Sequence, residues 1–145
     1  WFHSFLRVAF HSTMSRAVDK RDLVREFWRE VAAQNEVSLR SYFSPDAIIN
    51  WHNTNETFSV DEFIIANCEY PGKWHGQVER IEVVSDDLVI TVARVWAADE
   101  DSSYHAVSLF KFDGANIVQL DEYWGDDGPP PQWRLDKHIG RRIEG

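Results

Sequence analysis

Four strand-length stretches in the second half of the chain, residues 77–84, 88–96, 104–112 and 117–124, constrain the fold more than any other feature. The short links between them carry turn-like punctuation at residues 85–87, 99–103 and 113–114, rich in Asp, Ser and Gly. Turn-forming links this short predict antiparallel hairpins. The first half reads differently. Val24, Phe27, Trp28 and Val31 fall at i, i+3, i+4 and i+7, the apolar stripe of an amphipathic helix over residues 19–33. A shorter helix over 36–42 follows and stops at Ser44-Pro45, because the residue before proline avoids the α region. Residues 47–51 read as a short strand. Ser59 and Glu62 have capping-box spacing, which predicts a third helix with Phe63, Ile64 and Asn67 on one stripe, ended by Pro71-Gly72.

These elements give an α+β fold, a curved antiparallel sheet packed on three N-terminal helices. Apolar side chains occur on both alternating faces of the strands, as with Ile117, Leu120, Tyr123 and Trp124. Three helices cover one face, so a homodimer through the outer sheet face is the expected way to cover the other. Residues 14–145 are expected to form one domain with a polar tail from about 125, where a turn and a polyproline stretch through Pro131 begin. Met14-Ser15 would make a natural start, so residues 1–13 read as a leader or an expression-derived segment.

A formal charge of -9 with no basic stripe argues against nucleic acid or an anionic membrane as partner. No apolar run approaches the roughly 20 residues that span a bilayer, and the lone Cys68 fits a reducing compartment, so the cytoplasm is the expected location. Seven Trp and nine Phe favour a pocket for a small apolar or cyclic molecule. The six His are scattered without zinc-like spacing, so no metal is expected. There is no Gly-rich phosphate loop and no nucleophile elbow.

The order helix, helix, strand, helix and four long strands resembles the nuclear transport factor 2-like superfamily, which includes ketosteroid isomerase and SnoaL-like polyketide cyclases. Residues 42–51 (YFSPDAIINW) are similar to the start of the family's first strand, and 112–124 (FDGANIVQLDEYW) to its final hairpin. Residues 124–134 (WGDDGPPPQWR) resemble a bacterial subgroup of unassigned function. The resemblance implies the cone-shaped fold and a set of inward positions, Trp51, Ser108 and Trp124. It also implies what is missing. Trp51 stands at the family's general-base Asp and Ser108 at its oxyanion-hole Asp, and helix one offers no Tyr for the remaining role, which argues against steroid isomerisation by that mechanism.

By strand alternation Glu122 shares the inward face with Leu120 and Trp124. A carboxylate in an aromatic cavity has its pKa raised and suits proton transfer near neutrality; alternatively it pairs with a cation such as Arg94. His52 is either an acid or base at the cavity mouth or an exposed side chain of the Asn-rich stretch 52–55. Ser108 is the other candidate hydrogen-bonding partner of Glu122. Trp28, Trp51, Tyr70, Trp74, Trp96 and Trp124 read as walls around a ligand or as ordinary core, with Asn53 as a further contact and His105 either a ligand hydrogen bond or a cap on the sheet edge. Two functions stay open. One is a SnoaL-like, cofactor-free enzyme of isomerase, cyclase or dehydratase type that moves a proton on a small cyclic or carbonyl compound. The other is a non-catalytic ligand-binding or dimeric scaffold protein.

Overall fold

The computed structural model describes residues 19–99 and 101–144, so the proposed division after residue 13 lies outside the described residues. Helix α1 (Lys20–Ala33) starts where the Asp19 side chain accepts a hydrogen bond from the Arg21 amide, and it buries Val24, Phe27, Trp28 and Val31. It ends as Gln34 turns into the left-handed region. Asn35 caps α2 (Glu36–Ser41), one residue shorter than its sequence span. The capping box forms as expected at α3 (Val60–Cys68), with Ser59 N donating to Glu62 Oε1 at 2.9 Å and Glu62 N to Ser59 Oγ at 3.2 Å. Asn67 then ties α3 to α1 by donating to the Val31 carbonyl.

The strands are β1 (Phe43–Trp51), β2 (Glu56–Phe58), β3 (Trp74–Ser85), β4 (Leu88–Ala97), β5 (Ser103–Asp113) and β6 (Asn116–Asp126). They form one curved, unclosed sheet in the order β2-β1-β6-β5-β4-β3. β1 runs parallel to β6 and every other pair is antiparallel. Strand β1 begins four residues before the expected Ala47: Phe43 pairs with Ile117, and the register then jumps to Ile48 opposite Gln119. This irregularity takes up Ser44-Pro45, since a bulge tolerates the proline that a regular ladder excludes. Two short elements escaped the sequence reading. β2 pairs with the end of β1, and α4 (Gln132–Asp136) interrupts the supposedly polar tail, where Trp133, Leu135, Ile139 and Ile143 stand exposed.

The core lies between α1, α2, α3 and the inner face of the sheet. Phe27 is its hub, meeting Trp28, Tyr42, Phe43 and Phe110 edge-on at 5.2–6.1 Å between ring centres. Burial of one such ring stabilises the fold by about 1.5–3 kcal/mol. Gly76 lets α1 approach β3 closely, because a Cβ there would sit 3.2 Å from the Ala32 methyl. On the outer face Ile48, Val107 and Tyr123 remain 39–49% exposed. No helix among the described residues is long and apolar enough to cross a membrane.

Candidate functional site

One row of register partners crosses the inner face: Trp51 on β1, Glu122 on β6, Ser108 on β5 and Thr91 on β4. Their sharing a face follows from pairing, since directly opposed residues point the same way and their neighbours in sequence point the other way. Glu122 is 3% exposed. Ser108 Oγ donates to Glu122 Oε2 at 2.7 Å and Trp51 Nε1 to Oε1 at 3.2 Å. Beside them Trp28 Nε1 donates to Thr91 Oγ1 at 3.0 Å. Burial pushes the Glu122 carboxyl up to about 7, and the two neutral donors only partly oppose it. Arg94, the cation considered as its partner, lies on the opposite face, where its Nε donates to Ser103 Oγ and its guanidinium covers the Trp96 ring. Glu122 is therefore a dry carboxyl held by neutral donors, whose proton changes hands near neutrality.

Several expected site residues are elsewhere. His52 lies past the end of β1, where the chain turns to the outer face; its ring stacks on Tyr123 at 4.3 Å and its Nε2 lies 2.7 Å from Asp121 Oδ1. It does not share the inner chamber with Glu122. Trp96 and His105 are also on the outer face, because they alternate with the inward Val95 and Ala106. His105 sits between Glu79 and Asp127, with Nε2 2.6 Å from the first and Nδ1 2.5 Å from the second. Its hydrogen bond to Asp127 leads the causes that raise its pKa. Trp28 is sealed in the core, and Asn53 receives the Trp124 amide through its Oδ1 at 2.7 Å, a contact that fixes the end of β6.

Glu122 and Ser108 are buried, and neither of two clefts, one lined by Tyr70, Trp74 and Tyr104 and the other by Arg40, Ser44 and Asp61, is lined by Glu122, Ser108 or Trp124. The larger, of 470 Å³, opens at the end of the sheet between the loop after α3 and the β4–β5 turn, and Tyr70, Trp74 and Tyr104 line it. From that cleft an unbroken series of ring contacts leads inward: Tyr70 to Trp74 at 5.5 Å, Trp74 to Tyr104 at 5.9 Å, Tyr104 to Trp124 at 6.4 Å and Trp124 to Trp28 at 6.1 Å. Trp124 lies two residues along the same face from Glu122. Tyr104 and Thr91 are the functional candidates the sequence reading missed. Tyr104 has the same parity as Ser108 on β5, which was the signal available for it.

No family model and no curated relative matches the sequence. Solved structures do. A nuclear transport factor 2-like protein of unknown function from Burkholderia xenovorans is 21% identical, with a TM-score of 0.69 over 86% of this chain and 94% of its own. A candidate ketosteroid isomerase from Kribbella flavida is 17% identical, with a TM-score of 0.70 over 86% and 90%. A ketosteroid isomerase-like protein from Catenulispora acidiphila, solved in complex with trimethylamine, is 13% identical, with a TM-score of 0.57 over 70% and 83%. Identities this low speak for architecture and not for chemistry. With its curved six-stranded sheet wrapped on α1 to α3, the chain has the nuclear transport factor 2-like fold, the one shared by SnoaL-like polyketide cyclases and ketosteroid isomerase-like proteins.

Proposed function

We propose that the protein binds a small cyclic or carbonyl compound at the open end of its sheet and moves a proton on it through Glu122, without a cofactor. The observation that carries this reading is the Glu122 carboxyl, 3% exposed, held by Ser108 and Trp51, and pushed up to about 7. An acid of that pKa is divided between both protonation states at neutral pH, which is what proton transfer in either direction needs. Ser108 and Trp51 are the positioning donors, and they stabilise the ionised form once the proton has left. Substrate comes from the Tyr70–Trp74–Tyr104 cleft and reaches Glu122 when the Trp124 ring swings aside. His52 has no part in this step, because its imidazole is engaged with Asp121 on the other face.

Exchange of the α-protons of cyclic ketones such as 1-indanone in deuterated buffer, followed by proton NMR, tests the reading. General acid–base catalysis contributes typically 10²–10⁴-fold, so Glu122→Gln should slow exchange by at least about a hundredfold with little change in ketone affinity. Equal exchange by wild type and variant, with binding intact, leaves the non-catalytic binder as the function. The reading includes a homodimer through the outer sheet face, supported by the exposure of Ile48, Val107 and Tyr123 there. A monomeric mass by light scattering at micromolar concentration overturns that part alone.

A further inference from the structure

The 470 Å³ cleft at the end of the sheet is lined by the rings of Tyr70, Trp74 and Tyr104 together with Lys73, Asp99 and Ser102. Trp74 Nε1 is committed to the Pro71 carbonyl at 2.9 Å, which fixes the indole and leaves its π face as the surface on offer. The Tyr70 hydroxyl faces that of Tyr104, whose proximity is among the causes that raise the Tyr70 pKa. The three rings adjoin, with Tyr70 edge-on to Trp74 and Trp74 tilted by 42° to Tyr104, and together they make one aromatic wall.

Carboxylates border this wall. Asp99 lines the cleft, and its Oδ1 accepts the Asp101 amide at 3.1 Å. Asp126 is the register partner of Tyr104 and so stands on the same face of the sheet. Its charge reaches Tyr70, whose hydroxyl is raised first by burial and then by Tyr104 and Asp126. Among the described residues of the lining, Lys73 is the basic one. π faces and carboxylates repel an anion and attract a cation, and the attraction of a cation to an aromatic face strengthens as the site is desolvated. The volume suits a small ligand, since ligand sites commonly run from about 300 to 1,000 Å³.

From this arrangement we infer that the cleft selects an organic cation, a tertiary or quaternary ammonium group on a small apolar body, with the ammonium against Trp74 and between Asp99 and Asp126. The inference rests on the reading of this cleft as the place where a small molecule binds, and adds the charge of that molecule.

Choline and its uncharged isostere 3,3-dimethylbutan-1-ol have nearly the same shape and differ in charge. Titrating each into the full chain, with the indole resonances of Trp74 and Trp124 as reporters, separates charge recognition from simple apolar contact. Choline should shift the Trp74 resonance saturably and bind at least tenfold tighter than the alcohol. Asp99→Asn should weaken choline severalfold, and Lys73→Gln should tighten it. Equal affinity for the two compounds, or a weakening by Lys73→Gln, overturns the assignment. If choline fails while cyclic ketones still exchange through Glu122, the cation preference alone is wrong; if both fail, the cleft is not the site of either.

Discussion

On β6 two carboxylates follow each other, Asp121 turned to the outer face and Glu122 to the inner one. For both, burial is the largest influence and favours the protonated form, yet they titrate in opposite directions. Asp121 accepts hydrogen bonds from Asn50 Nδ2 at 2.9 Å, from Gln119 Nε2 at 2.8 Å and from His52 Nε2 at 2.7 Å. Its carboxylate can only accept, so the facing imidazole nitrogen carries the hydrogen. These three donors outweigh the burial and hold Asp121 below the usual carboxylate range. Glu122 has two donors, both neutral, and deeper burial, so desolvation prevails. The sign of a buried carboxylate's shift is set by how many donors meet it and whether one can carry charge. The outer face keeps its acid ionised, while the inner face leaves its acid able to give and take a proton.

Replacing Glu122 by Gln gives the largest expected break in that contrast. A carboxyl raised from 4.5 to about 7 on folding adds no penalty below pH 4.5, where it is neutral in both states. The penalty grows between about pH 4.5 and 7 and is then constant, on the order of 3 kcal/mol for a shift of this size. Gln is the neutral isostere: its oxygen accepts from Trp51 and its nitrogen donates to Ser108. Urea unfolding should therefore find Glu122→Gln as stable as wild type near pH 4 and more stable by about 3 kcal/mol at pH 8. Equal stability at both pH values would mean that Glu122 is solvated and ionised in the folded protein.

Asp121→Asn should act in the opposite direction. The depressed pKa of Asp121 means that its stabilising contribution is present above its unfolded pKa of about 3.9 and is lost as the pH falls through the folded value. The Asn amide sets hydrogens against the Asn50 and Gln119 donors, so the variant should lose about 1–2 kcal/mol at pH 7. Most of that difference should vanish once the pH has fallen below the folded value. A loss independent of pH would show packing, and not charge, at work on the outer face.

The helical half was legible because α1 sets an apolar stripe against polar surroundings, and because the Ser59–Glu62 capping box marks the start of α3. The inward direction of Glu122 was also legible, through alternation with Leu120 and Trp124. Counting from Ile117 would have reversed it, because the β5–β6 register slips between Lys111 and Phe112 and leaves Val118 as an extra residue. β4 carries no such contrast. Its inward set, Val89, Thr91, Ala93 and Val95, is smaller than its outward set, Ile90, Val92, Arg94 and Trp96, so side-chain size misdirected Trp96. Small residues face inward where α1 presses on the sheet. His52 and His105 stayed open between two readings for a different cause: their partners Asp121, Glu79 and Asp127 meet them only through the turn after β1 and the strand pairing. The dryness of Glu122 likewise depends on Trp51, 71 residues away in the chain.

The outer face can be probed at a second point, with the smallest expected effect. His105 binds its proton more tightly in the folded state, first through the hydrogen bond to Asp127 and then through the charges of Asp127 and Glu79, against an opposing contribution from burial. For a raised histidine the stabilisation is complete below the unfolded pKa of about 6.5 and is lost as the pH climbs through the folded value. With 41% of its side chain exposed, solvent screening limits the gain to roughly that of a surface ion pair, about 0.5 kcal/mol. Glu122 contributes its own loss between about pH 4.5 and 7, so the two are best separated in the Glu122→Gln background. There, His105→Gln should cost about 0.5 kcal/mol near pH 5.5 and nearly nothing at pH 9. A cost that instead grew with pH would mean that the neutral imidazole is the form the outer face holds.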